Sequence, residues 1–270
     1  MAVFGMRSFG QLIRSFIVLG GLSIRLSAGA SSDIARASDR YFGPLVAAGK
    51  ISAAACVLVT DGRPTFIRLY GPVDAQQSLW RMASVSKALT AIAIMQLVQH
   101  GQVSLDNDVN HYLKHLHVPD TFPQAITVRE LLTHRSGLDD RFVGDGFKTG
   151  QQPPMIEIMR RLLPARVYPP DTVELYSNYG YGLLGALIED VTGERFEQYM
   201  RTKVLQPLQM NHSTFEQPLP AASRMAPGQW FYQHSAPASA LVATAGDMLN
   251  FLLSTVESDS TLVTKQSSMK

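Results

Sequence analysis

The sequence predicts an α+β fold, and three observations predict it. Two β-rich runs, Ile51–Thr60 and Thr65–Tyr70, flank the turn signal Asp61-Gly62-Arg63-Pro64. From Ser86 to about residue 255, helical patterns follow one another with only irregular stretches between them. The 270 residues are 46% hydrophobic and 17% charged, at a mean hydropathy of +0.02, which supplies a sizeable core. That balance excludes a disordered chain, a coiled coil and a collagen-like repeat.

The elements follow in chain order. Arg7 and Arg14 precede the apolar run 16–22, and Ala28-Gly29-Ala30 places small residues at −3 and −1 of a cleavage site. This is the layout of a secretory signal peptide over residues 1–30, with 31–270 as the domain and a secreted or periplasmic location. Arg25 is unusual in such a segment, and a poorly ordered amphipathic N-terminus is the alternative. The apolar run falls short of the ~20 residues that span a bilayer, so no transmembrane helix is expected in the mature chain.

Apolar or small residues at helical spacing (Ile34, Ala37, Tyr41, Leu45) predict a helix from Ser31 to Ala48, ending at Gly49. The two strands of the hairpin come next. Cys56 lies in the first, within apolar 53–59, and reads as a packed, inert thiol rather than a nucleophile. As the single cysteine it permits neither an intrachain disulfide nor a cysteine-based zinc site. Ser86–His100 is apolar on nearly every face and ends at Gly101, the signature of a buried helix.

Thr127-Val128-Arg129-Glu130 is a capping box that opens a short helix through Leu132. Further helices are expected over Met155–Leu163, Tyr181–Val191, Phe196–Val204 and Ala245–Thr255, with Pro164, Pro169 and Pro170 marking an irregular stretch. The formal charge of +2 comes from 24 basic and 22 acidic residues, and three of the basic ones lie in the leader. With no basic block and no aromatic-basic interleaving, no nucleic-acid partner is expected.

The chemistry centres on a serine, a lysine and a tyrosine. Ser84-Val85-Ser86-Lys87 matches S-x-x-K, a motif of serine acyl-transfer enzymes. Four residues alone are weak evidence, since Ser267-Ser268-Met269-Lys270 matches as well. The first copy opens the apolar helix, where residues i and i+3 share a face and Lys87 sits beside Ser84. Burial there favours a neutral amine able to take the serine proton, and the helix N-terminus aims backbone N–H groups at a developing oxyanion. Tyr176-Ser177-Asn178 is the one Y-x-N of the chain. Tyr176 can relay a proton, and Asn178 can orient Lys87 and donate to a substrate carbonyl. Packing for Tyr176 and an N-cap for Asn178 are the plainer alternatives.

The flanks extend the match. Residues 79–87 (LWRMASVSK) resemble the nucleophile segment of the class C β-lactamase-like serine hydrolases, a family of β-lactamases, D-alanyl-D-alanine carboxypeptidases and family VIII-type esterases. Gly101–Asp106, Leu131–Leu138, Tyr176–Gly185, Pro207–Met210 and Ala243–Met248 match further blocks in the family's order. The resemblance implies a β-lactamase/penicillin-binding-protein-like fold, with an antiparallel sheet flanked by helices and a helical insertion. It also implies Ser84, Lys87 and Tyr176 as catalytic residues and Asn178 as substrate-binding. The substrate would be a β-lactam, a D-Ala peptide or an ester, and no metal or organic cofactor is implied.

The resemblance further requires an H-x-G or K-T-G motif on a late strand. Lys148-Thr149-Gly150 lies between the first two motifs, in loop composition, and reads as a decoy. The chain ends at Lys270 without that strand, so the sheet is expected to lack its final strands. A non-catalytic remnant, or a chain completed by a strand from elsewhere, is therefore an alternative to an active hydrolase. Pro169-Pro170-Asp171 stands where the family favours Pro-Gly, a turn that Asp tolerates.

Other constellations read as structural. His111, His115 and His117 lack an H-E-x-x-H context and read as solvated, not as metal ligands. His134 is expected to make a structural hydrogen bond, and Asp139-Asp140 to form a solvated turn. There is no G-x-S-x-G elbow.

Overall fold

The computed structural model describes residues 30–140, 146–147, 153–227, 232–233 and 235–256. The leader-like residues 1–29, Lys148-Thr149-Gly150 and the second Ser-x-x-Lys copy at 267–270 lie outside the described residues.

Helix α1 runs Ala30–Ala47 and accommodates Pro44 inside it. Gly49, at φ +65°, turns the chain out of it. Strands β1 (Ala54–Thr60) and β2 (Arg63–Tyr70) pair antiparallel around Asp61 and Gly62, whose φ values of 51° and 72° make the tight turn that hairpins favour. The register shifts between Leu58 and Val59, opposite Pro64, which has no N–H to give the ladder. Among the described residues this hairpin pairs only with itself, and α1 and the last helix, α8 (Ala245–Val256), pack on it.

Strand β3 (Ser78–Arg81), which sequence periodicity did not signal, is too short to show a period. It lies between β5 (Arg224–Met225, parallel) and β7 (Val242–Ala243, antiparallel); a separate pair joins β4 (Gly146–Phe147) to β6 (Tyr232–Gln233). β3 leads through a 3₁₀ turn, Ala83–Val85, into α2 (Ser86–Gln99). Most of α2 is buried, and Leu89, Ile94 and Leu97 are almost fully so, each worth about 1.5–3 kcal/mol of transfer free energy. His100 closes it, and Gly101, at φ +70°, lets Gln102 N–H reach back to the Leu97 carbonyl.

The Thr127–Glu130 capping box is present, at the head of α3 (Val128–Leu132). α4 follows at Met155–Arg161. α5 runs Asn178–Thr192, three residues earlier than the apolar pattern indicated. The true N-cap is Ser177, whose hydroxyl accepts from Gly180 N–H, so Asn178 is not the cap but the first helical residue. Beyond α6 (Phe196–Tyr199) the chain widens into a π turn over Met200–Leu205, where one continuous helix was expected. The short α7 (Ala236–Ser239) packs against both α2 and α5. One face of α2 grips it: Thr90 Oγ1 donates to the Pro237 carbonyl at 2.8 Å, and Leu241 N–H donates to Ser86 Oγ at 3.0 Å. Among the described residues no helix is long and apolar enough to cross a membrane.

Candidate active site

Ser84 sits in the middle of the exposed 3₁₀ turn, two residues before α2 and not on it. Ala83 before it has φ +44°, a conformation that costs a non-glycine residue about 1–3 kcal/mol unless its surroundings hold it. They do. Ser86 Oγ donates to the Ala83 carbonyl at 2.6 Å, and Met82 N–H donates to the Leu241 carbonyl at 2.9 Å. The turn is thus pinned to Leu241, the residue that leads into β7, and Ser84 stands clear of it.

Lys87, in the first turn of α2, is buried at 6% exposure. Its Nζ donates to Asn178 Oδ1 at 2.7 Å, to the Ala238 carbonyl at 3.0 Å and to Ser84 Oγ at 3.4 Å. It also lies 4.7 Å from the centre of the Tyr176 ring and 5.6 Å from that of Tyr181. These oxygens suit an ammonium, and the two ring faces add attraction for a cation.

Tyr176 is set over the pair from the other side. Its hydroxyl donates to Ser84 Oγ at 2.8 Å, while its ring stays half-exposed at 46%. His134 holds the backbone on both sides of it: the His134 carbonyl accepts from Leu175 N–H at 2.7 Å, and Nδ1 accepts from Ser177 N–H at 3.2 Å. The two rings lie 4.4 Å apart. An accepting Nδ1 requires the neutral tautomer protonated on Nε2. Burial first, and then the nearby Lys87 charge, pull the His134 pKa down to about 4, which keeps it in that form. The structural hydrogen bond expected of His134 is therefore found.

The S-x-x-K and Y-x-N residues thus converge on one point: Ser84, Lys87, Tyr176 and Asn178 form a single connected cluster. Tyr181 backs it with a buried ring, its hydroxyl donating to the Leu132 carbonyl at 3.0 Å; burial raises its pKa.

Two participants had no usable sequence signal. The Ala238 carbonyl is a backbone group 151 positions from Lys87. Asp140, expected in a solvated turn, instead serves the head of α5, a correction to that expectation. Its Oδ1 accepts from Asn178 N–H at 2.9 Å and Tyr179 N–H at 3.1 Å, and its Oδ2 from Asn178 Nδ2 at 2.8 Å. Gly137, at φ +72°, brings the 137–139 segment against 165–168, where a Cβ would lie 2.0 Å from the Tyr168 carbonyl oxygen.

The remaining polar clusters stand apart. His115 Nδ1 pairs with buried Asp190 at 2.5 Å, and His117 lies 3.5 Å from Asp120, so both are partnered surface groups. Among the described residues no cluster of His, Cys, Asp and Glu could hold a metal ion. Cys56 is half-buried, and burial pushes its thiol up, away from the reactive thiolate. Asp171 holds φ +63°, as its place in the turn requires, and pairs with Arg135.

Comparison with known proteins gives a consistent result. A family model described as Beta-lactamase matches residues 38–270. The chain is 30% identical over 186 residues to a protein named Beta-lactamase from Escherichia coli K12, covering 66% of this chain and 48% of that one. It is 29% identical over 179 residues to Protein flp of Staphylococcus aureus MW2, covering 63% of this chain and 36% of that one. A crystal structure of the D-alanine carboxypeptidase AmpC from Burkholderia cenocepacia superposes with a TM-score of 0.63 at 25% identity, over 83% of this chain and 64% of that one. The matched region is thus about a third to a half of the length of the curated relatives, and a β-lactamase/penicillin-binding-protein-like fold is shared with the solved structure.

Proposed function

We propose that this chain, which belongs to the beta-lactamase family, is a serine hydrolase working through an acyl-enzyme on Ser84. The observation that carries the reading is the contact of Tyr176 hydroxyl with Ser84 Oγ at 2.8 Å, beside the buried Lys87 Nζ.

In this reading Ser84 Oγ forms a bond to the substrate carbonyl carbon, and the carbonyl electrons move onto its oxygen. Tyr176, once its hydroxyl proton has left to solvent and its phenolate is held by the Lys87 ammonium, takes the serine proton and becomes the neutral phenol. Tyr176 then returns that proton to the leaving nitrogen or oxygen as its bond to carbon breaks. A water repeats the sequence on the ester, its proton passing through Tyr176 back to Ser84 Oγ. Asn178 keeps Lys87 in place through Oδ1. One of its two amide hydrogens faces Asp140, and the other is the donor for a substrate carbonyl.

The substrate class is an acyl compound with an activated or strained carbonyl: a β-lactam, a D-Ala-terminated peptide or a small ester. The relatives named as a beta-lactamase and a D-alanine carboxypeptidase favour the first two. Exposure of the purified chain to a fluorescent penicillin and to a fluorophosphonate tests the reading by intact mass. The expected result is one adduct on Ser84, absent in Ser84→Ala. A folded sample that forms no adduct with either probe overturns it and favours a non-catalytic member of the family.

A further inference from the structure

We infer that Asp140 is a positioning residue for this site, acting through Asn178 on Lys87; the inference rests on the reading of Ser84 as the nucleophile. The geometry points to it in three steps. First, the Asp140 carboxylate closes the N-terminus of α5, where the helix leaves backbone N–H groups unpaired and favours negative charge. Second, its other oxygen binds Asn178 Nδ2 at 2.8 Å. An amide has one donating and one accepting end, so holding the NH₂ end at Asp140 fixes the oxygen end toward Lys87, where the 2.7 Å contact is found. Third, Asn178 Oδ1 is one of three oxygens that place the Lys87 ammonium beneath the Tyr176 ring and within reach of Ser84. A carboxylate is needed at position 140 because only it accepts on both oxygens.

The Asp140→Asn substitution is nearly isosteric and discriminating. Its new oxygen would still accept from the two backbone N–H groups, so its new NH₂ would face Asn178 Nδ2, donor against donor. Asn178 would relieve this by turning its amide over, which presents NH₂ to the Lys87 ammonium. The double exchange Asp140→Asn with Asn178→Asp restores the pattern: the amide at 140 donates to the carboxylate at 178, which still accepts from Lys87.

The test compares the full chain, D140N and D140N/N178D by the rate of fluorophosphonate labelling of Ser84, a probe without an amide carbonyl for Asn178 to hold. Thermal melts monitor folding, and ¹⁵N NMR follows solvent exchange of the Asn178 side-chain amide in wild type and D140N. The expected result is labelling about 10–100-fold slower in D140N, as for loss of a charged hydrogen bond, with at least a tenfold recovery in the double exchange. Asn178 amide protection is expected in wild type and lost in D140N. A residue that merely capped α5 would lower the melting temperature while labelling of the folded protein stayed unchanged, and that outcome overturns the inference. So does a double exchange no faster than D140N. Failure of the wild type itself to label sinks the hydrolase reading instead, and amide protection then decides the role of Asp140: its loss in D140N upholds the role, and its persistence overturns it.

Discussion

Tyr176 and Ser84, 92 positions apart in the chain, meet hydroxyl to hydroxyl at 2.8 Å. The tyrosine ring needs nothing from that contact to stay where it is, because His134 secures the backbone on either side and stacks on the ring. Tyr176→Phe is therefore expected to melt within about 0.5 kcal/mol of wild type. Its acylation of Ser84 is expected to fall by about 10²–10⁴-fold, the usual contribution of a positioned proton-transfer group. Stopped-flow acylation beside a urea melt checks both halves.

Lys87 is expected to behave differently, since structure and chemistry share it. Lys87→Met keeps the apolar stem but leaves Asn178 Oδ1 and the Ala238 carbonyl without their donor. Unpaired buried acceptors cost about 1–3 kcal/mol each, so this variant should lose both its Ser84 adduct and a measurable part of its stability in denaturant.

The close packing of α5 on α7 gives a test remote from the reacting atoms. A Cβ on Gly185 would lie 2.1 Å from Pro237 Cγ, a rigid ring, and would displace the segment whose next carbonyl holds Lys87. Gly185→Ala is expected to cost about 1–3 kcal/mol and to slow Ser84 labelling. At Gly182 the obstruction is only the Met159 side-chain end at 2.6 Å and 2.7 Å, which can swing aside. Gly182→Ala should be milder on both measurements.

His134 predicts a pH dependence with a definite sign. Its folded pKa of about 4 lies below the ordinary value of 6.5, so the unfolded chain takes up the proton first as pH falls. The stability tied to neutral His134 is complete above about 6.5, declines below it and is gone once pH has passed through about 4. His134→Phe keeps a ring against Tyr176 but removes the titration. Between pH 7 and pH 4.5 its stability in urea should fall less than that of wild type.

Sequence was informative where a feature is local. The Asp61-Gly62 hairpin, the Thr127–Glu130 capping box and the glycine after α2 each follow from residues a few positions apart, and all three are present. Ser84 with Lys87, and Tyr176 with Asn178, are likewise short patterns, and they converge as the motifs imply. Asp140 was missed because nothing beside it distinguishes a carboxylate in solvent from one serving a helix 38 positions later. β3, β5 and β7 are too short for a period-2 pattern and exist through one another. The widening at Met200–Leu205 follows an apolar pattern that fits a regular helix equally well.

The strained turn at Ala83 also bears on the order in which the site is assembled. A nascent chain that has reached Gly193 already contains Ser84, Lys87, Tyr176 and Asn178. It does not yet contain Ala238, whose carbonyl receives Lys87, or Leu241, whose backbone pins the turn that presents Ser84. All four side chains of the cluster are thus translated before the backbone groups that hold Lys87 and the Ser84 turn in place. A chain that has reached Gly193 holds the side chains of the cluster without the backbone that positions them, so assembly of the site waits on the segment from Ala236 to Ala243.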